Sequence, residues 1–355
     1  MAAAASPLRI ALLADPAEPL RADTLAPSAA IGFELAAALA EHVHATGDLL
    51  VDLFAAAGSE TGLPLVSLDL GELPADLGDP VAEHARRESL LIQLVLSGML
   101  EGYSVVHCLA PVVAPLQLLA ATGARLLQTL VEGPGHPSVT LPPRLLAAGR
   151  LRRVGVAPAP ASTELPALLA LGPEREPVPG DDRAEPLVLG VDLDRYRPEE
   201  GAAETHLAWW GSGGSAGEAA ARAVASVMGL PLRTPADGPA PEMLGGARAL
   251  LHLEPRPRPC DAVWPLRALA CGTPTVAPAT SGLAPLFDER VAGVSVAGAL
   301  ASGDRSEDLA AAVAGLPPRS DLGAARRALV LGRHNRRAMA ARYREIYSEL
   351  VHGRR

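Results

Sequence analysis

The sequence predicts an α/β protein built from two doubly wound parallel sheets of the Rossmann type, and three observations predict it. First, short apolar runs alternate with segments of helical period along the chain, the mark of strands covered by helices on both faces. Second, His206–Trp210 leads into Gly211-Ser212-Gly213-Gly214-Ser215 and then a helix from Ala216. Third, Ala247–Ala277, ARALLHLEPRPRPCDAVWPLRALACGTPTVA, reads as strand, loop, helix, glycine turn and strand.

The elements follow in order. Leu8–Ala14 is a buried strand. The loop Asp15–Ser28 would face the carboxyl edge of its sheet; it has no glycine, and Arg21 and Asp23 are its polar candidates unless simple solvation explains both. Ala29–Val43 is a helix with Ile31, Leu35, Leu39 and Val43 on one face. Leu49–Phe54 and Pro64–Leu68 are strands, and Pro80–Glu101 is a long amphipathic helix. Tyr103–Cys108, Pro111–Ala121 and Ala124–Leu130 read as strand, helix and strand. His107, inside an apolar strand, reads as a satisfied core histidine. Val154–Pro158 would be the last strand of the first domain and Ala161–Leu171 a short helix. Gly172–Glu185, rich in proline, glycine and charge, reads as a hinge loop. The division is 1–185, 186–332 and a terminal helix at 333–355.

In the second domain, Ala249–Leu253 is a buried strand and Pro255–Pro259 a loop, because prolines suit neither helix nor central strand. Asp261 would cap a helix over Ala262–Ala270. Gly272 would sit at C′, with Pro274 ending the helix and Thr275–Ala277 starting the next strand. The loop at the carboxyl end of such a strand is where open α/β sheets bind ligands. Gly211–Ser215 has two readings: a phosphate cradle at a helix N-terminus, or a tight turn with a serine cap. Ser306–Leu316 is a helix capped by Ser306. Asn335–Leu350 is another, with Met339, Tyr343, Ile346 and Leu350 in step.

The 355 residues suffice for two domains with a large core. All 31 basic side chains are arginine, and the net charge of −9 argues against broad binding to nucleic acid or anionic membranes. Cys108, Cys260 and Cys271 are too few and scattered for a disulfide framework or zinc site. The start lacks a basic stretch followed by a long apolar core, and the longest apolar run, near Leu90–Leu100, is too short to span a bilayer. A cytoplasmic protein without a transmembrane segment is expected.

Three stretches carry a family resemblance. ARALLHLEP…RALACGTPTVAPATSGLAPLFDERVAGVSV resembles the donor-site region of family-4-type retaining glycosyltransferases of the GT-B fold. GVDLDRYRP at Gly190–Pro198 is similar to that family's NGVDLDRFRP between the domains, and Val105-Val106-His107 with Ala110–Leu119 to its VVHxH…APL segment. The resemblance spans about Leu8 to Leu350. It implies two Rossmann-like domains facing a cleft, an acceptor side first and a donor side second. It also implies a nucleotide-sugar donor with no further cofactor and no metal.

The departures from the pattern are equally specific. The glycine-rich first loop is missing. Where the family has TxHG, with a histidine beside the reacting sugar, this chain has Thr129-Leu130-Val131-Glu132-Gly133. Glu132 or His136 are the candidate replacements. Ser212 stands at the position of the phosphate-binding arginine, and no lysine exists to follow it. The family's paired glutamates fall on Pro259 and Arg267, and a strand-helix unit that holds the base is missing between Leu230 and Ala247, shortening the second domain. The donor-side candidates are Gly211, Ser212, Gly213, Gly214, Ser215, Arg256, Arg258, Asp261, Gly272 and Thr273, with Arg267 as a candidate catalytic group. Two readings stay open. One is sugar transfer from a nucleotide sugar, stabilised by electrostatics with no covalent nucleophile. The other is a GT-B protein without donor chemistry that binds a glycan or nucleotide, or assists a protein partner.

Overall fold

A computed structural model describes residues 6–70, 80–130, 151–157, 185–199, 201, 203–211, 215–253, 259–278, 283–288, 290–291, 294–303 and 305–353. The first sheet comprises β1 (Leu8–Leu13), β2 (Leu49–Ala56), β3 (Leu65–Leu68), β4 (Val105–Cys108), β5 (Leu126–Leu130), β6 (Leu151–Ala157) and β7 (Glu185–Val188). It is parallel throughout, in the order β3-β2-β1-β4-β5-β6-β7. Helices α1 (Pro27–Thr46), α2 (Pro80–Leu96) and α3 (Ala114–Ala121) connect its strands. The expected single apolar face of α1 is too modest. Every residue from Ala29 to Leu39 is buried, Glu34 included. That burial explains the run of small alanines: a helix enclosed on all sides has no solvent face to make polar.

The second sheet comprises β8 (His206–Trp209), β9 (Leu232–Arg233), β10 (Ala247–Leu251), β11 (Thr275–Pro278) and β14 (Gly298–Ala301), with a small hairpin of β12 (Arg290–Val291) and β13 (Val294–Ser295) beside it. Its order is β14-β11-β10-β8-β9, again parallel. Its helices are α4 (Ala216–Met228), α5 (Ala240–Gly245), α6 (Val263–Ala270), α7 (Ser306–Ala314) and α8 (Arg319–Arg333), followed by α9 (Arg336–His352). Between α4 and β10 lie only the two-residue β9, a short 3-10 turn and the six-residue α5.

Several local expectations differ from the structure. α2 ends at Leu96 rather than Glu101. α6 begins from Ala262 without a side-chain cap, because Asp261 belongs to the 3-10 turn Pro259–Ala262 that precedes it. Ser306 is the first residue of α7, behind Arg305, and does not cap it. Gly272 does take the left-handed conformation just beyond α6, with φ of 78°. β7, β14 and α8 have no counterpart in the sequence reading, and Ala161–Leu171 lies outside the described residues.

The chain crosses between the domains twice, side by side. Val191 N–H donates to His334 O at 2.9 Å, and Leu189 O meets His334 Nδ1 at 2.9 Å. A side chain at Gly190 would put its Cβ 2.5 Å from the Arg336 backbone, so only glycine permits this approach. Arg327 donates to the carbonyls of Leu193, Tyr196 and Ala270, which ties the linker to α6 and α8. α9 then packs on α1 and β4. Tyr347 Oη lies 2.7 Å from His107 Nδ1, and Thr129 Oγ1 bridges His107 Nε2 at 2.7 Å and Tyr343 Oη at 2.8 Å. All four groups are buried, and burial depresses His107 to about 3, so the ring is neutral. Among the described residues no helix is long and apolar enough to cross a membrane.

Candidate functional site

The strand order of the second sheet reverses between β8 and β10, and open α/β sheets take their ligands outside the carboxyl ends at such a point, which makes this the candidate crevice of the domain. β8 runs into Trp210 and Gly211, and β10 into His252 and Leu253. Side chains alternate across a strand, so Ala208, Trp210, Leu250 and His252 share the face that α6 covers. Trp264, in the first turn of α6, stacks on Trp210 with ring centroids 4.5 Å apart and planes 33° from parallel. Gly211 is confined by Trp209: a Cβ there would lie 2.6 Å from that ring.

Arg267, one turn further along α6, is fully buried. Its guanidinium lies 4.4 Å from the Trp264 ring centroid and 5.0 Å from that of Tyr196, in the linker. Its Nε and Nη2 both donate to Glu34 Oε1, at 3.1 and 2.7 Å. Glu34 belongs to α1, so this ion pair joins the two domains through their closed interior. Burial raises the Glu34 carboxyl above its ordinary range, and the Arg267 charge and hydrogen bonds pull against it. Arg336 brings a second positive charge, its Nη1 3.8 Å from Glu34 Oε2 and 2.7 Å from Asp192 Oδ2.

Around this pair, buried polar atoms find no hydrogen-bond partner among the described residues. They are the indole N–H groups of Trp210 and Trp264, His252 Nε2, Arg267 Nη1 and Glu34 Oε2. An unmet buried polar group costs about 1–3 kcal/mol, so several together call for an explanation. Burial lowers His252 to about 4, the Asp261 charge acting the other way, and its imidazole is neutral. Three of these atoms, the two indole N–H groups and Arg267 Nη1, are donors, and two of them belong to the stacked indoles.

The structure distributes the sequence-predicted residues unevenly. Ser215 caps α4, its Oγ accepting from Glu218 N–H at 3.2 Å, and Glu218 is paired in turn with Arg222. The serine-cap reading of this turn is thus realised for Ser215, and a carboxylate already faces the helix dipole. Asp261 is buried beside the crevice. Gly272 and Thr273 are not brought to it. They follow the C-terminus of the eight-residue α6, about 12 Å along the helix, where Thr273 Oγ1 donates to Leu244 O at 2.6 Å and Gly272 O accepts from Arg326. Ser212, Gly213, Gly214, Arg256, Arg258, Glu132 and His136 lie outside the described residues. In the first loop, Arg21 donates to Gly58 O and Asp23 is exposed. Sequence reasoning missed Glu34, Tyr196 and the two indoles. A glutamate flanked on both sides by apolar residues of α1, Phe33 and Leu35, was the signal for the first.

Comparison with solved structures decides the architecture. AviGT4, a glycosyltransferase of avilamycin A biosynthesis, is similar over 98% of this chain and 99% of its own, with a TM-score of 0.55 and 20% identity. The fold is GT-B. A sucrose-phosphate synthase of Thermosynechococcus elongatus is similar over 97% of this chain and 99% of its own, with a TM-score of 0.62 and 16% identity. HepE of Anabaena, solved with UDP-glucose, is similar over 96% of this chain and all of its own, at 0.61 and 14%. No family model matches the sequence, and no curated protein matches it. The GT-B likeness is one of architecture, carried by sequences that have diverged almost completely.

Proposed function

We propose that this GT-B protein transfers a sugar from a nucleotide-sugar donor to an acceptor on the first domain, with the donor held in the crevice at the carboxyl ends of β8 and β10. One observation carries the reading: at the carboxyl ends of β8 and β10, the indole N–H groups of the stacked Trp210 and Trp264, His252 Nε2 and Arg267 Nη1 are all buried without a hydrogen-bond partner among the described residues. Phosphate and sugar oxygens are acceptors that such donors satisfy, and an arginine suits a departing diphosphate. HepE, which shares the fold, has been solved with UDP, with UDP-glucose and with UDP and glucose together. Charge developing on the leaving diphosphate would be met by Arg267 and by the candidates Arg256 and Arg258, electrostatic stabilisation without a covalent intermediate. Gly211, Ser212, Gly213 and Gly214 are the backbone candidates, and Glu132 or His136 the groups proposed beside the reacting sugar.

The donor must enter by separation of the domains, since Glu34 closes Arg267 from the far side. Binding energy from the nucleotide would offset the broken pair, as in enzymes that close around their substrates. The same ion pair favours a second reading, a pseudo-glycosyltransferase that binds a glycan or a protein partner. There the protein's own Glu34 holds Arg267 permanently.

Release of nucleoside diphosphate from UDP-, GDP- and ADP-sugars, with and without an acceptor mixture, separates the two. Turnover of one donor, lost in Arg267→Met, is the expected result. No release from any of them, together with a stable partner recovered in pull-downs, would favour the second reading.

A further inference from the structure

The first sheet has a switch point of its own, between β1 and β4, and a small pocket lies there. It is lined by Leu20, Leu109 and Pro111, by Ala29 and Gly32 of α1, and by one carboxylate, Asp15. The pocket is preformed. Leu20 N–H donates to Ser59 Oγ at 2.9 Å, and Leu20 O accepts from Glu60 N–H at 2.9 Å, which pins the loop after β1 to the loop after β2. The same loop reaches the interdomain linker, where Tyr196 Oη donates to Ala22 O at 3.5 Å. The loop that supplies Asp15 and Leu20 to the pocket therefore also touches the interdomain linker.

Asp15 is about four-fifths buried on its side chain. One oxygen accepts from Ala17 N–H at 2.9 Å and the other pairs with Arg87 Nη1 at 2.9 Å. A carboxylate has about four lone-pair sites, so each oxygen can still accept another hydrogen bond. Arg87 also pairs with Glu83, so the carboxylate is balanced within a ladder of alternating charge. Such a site gains little from a second cation. It gains from a neutral O–H donor whose carbon packs on leucine and proline. The pocket is small, with about 20 Å³ open to a water-sized group, the scale of a single hydroxyl-bearing carbon.

We propose that this pocket is an acceptor subsite: a hydroxymethyl group of a polyol or sugar enters it and donates its O–H to Asp15, against the apolar walls of Leu20, Leu109 and Pro111. This rests on the reading of the protein as a sugar transferase with its acceptor on the first domain. It adds the chemical class of the acceptor end and the residues that select it. Gly32 sets the depth, because a Cβ there would lie 3.1 Å from Leu20 Cδ2.

Ligand-observed saturation-transfer NMR tests it without any donor. The probes are methyl glucoside, which carries a hydroxymethyl group, and methyl xyloside, which is the same ring without it. The proteins are the full chain, Asp15→Asn and Gly32→Ala. The second variant replaces a helical glycine with the best helix former, and because its methyl would press on Leu20, a thermal melt establishes that it is folded. Transfer strongest at the hydroxymethyl protons of the glucoside, lost in Gly32→Ala and about tenfold weaker in Asp15→Asn, is the expected result. Equal signals for the two glycosides, equal signals in all three proteins, or no binding of the glucoside would overturn the proposal. Titrating the same samples with nucleotide sugars keeps the two failures apart, since donor binding can persist when the glucoside fails and the reverse.

Discussion

At the scale of single residues, the decisive pair is Glu34 and Arg267, both wholly enclosed and 233 positions apart. A buried ion pair is weak evidence for stability, but breaking one strands a charge. Arg267→Met leaves Glu34 with only Arg336 nearby, and a loss of about 3–5 kcal/mol is expected in urea unfolding. The double variant Glu34→Leu with Arg267→Met should recover most of that loss, and a double variant as unstable as the single would count against the pair as the cause. The pair was not legible in the sequence. Nothing in a single chain links a glutamate in one helix to an arginine in another, and family spacing placed a glutamate, not an arginine, at position 267. The neutral histidines give a second test. Burial depresses His107 to about 3, and His252 and His334 to about 4, below their ordinary value of 6.5. Depressed folded-state values mean that their contribution is complete above about 6.5 and is lost as the pH falls toward 4. The melting temperature should drop over that window, and His107→Gln should flatten the drop. An unchanged slope would show that His107 does not titrate as described.

At the scale of elements, strands were read well because buried parallel strands are continuous apolar runs. β1, β2, β4, β5, β8 and β10 all lie where those runs predicted, within a few residues at each end. The misses have physical causes. α8 carries arginines that resemble a solvated surface, yet Arg326 is fully buried and donates to the carbonyls of Val296 and Gly272. β14 is Gly-Ala-Leu-Ala, without a β-branched residue, and β7 opens with Glu-Pro. Both are made strands by their neighbours and not by propensity. The terminal helix was legible as Met339, Tyr343, Ile346 and Leu350 in step. What those tyrosines hold was not legible. Tyr347→Phe removes the hydroxyl at 2.7 Å from His107 and leaves a buried ring nitrogen unmet. Hydrogen exchange should show α9 opening more readily by about 1–3 kcal/mol. Exchange equal to the parent's would mean that packing alone secures the helix.

At the scale of the whole molecule, each of two parallel sheets has a switch point, between β1 and β4 and between β8 and β10, and the Glu34–Arg267 pair joins the two domains. The donor groups of Trp210, His252, Trp264 and Arg267 lie on one side, and Asp15 lies on the other. The order of elements made this architecture readable from the sequence, whereas the groups at the crevice come from three separate segments, the ends of β8 and β10 and the helix α6, and meet only through the fold. The Glu34–Arg267 pair bridges the two domains, so Arg267→Met should enlarge the radius of gyration in small-angle scattering. Unchanged dimensions would mean that other contacts set the domain angle. The central claim is that the crevice binds a nucleotide sugar, and calorimetric titration of UDP, GDP, ADP and their sugars tests it most directly. Saturable binding of one nucleotide, weakened in Trp264→Phe, which keeps an aromatic ring and removes the indole N–H, is the predicted result. No heat and no thermal stabilisation with any of them would contradict it.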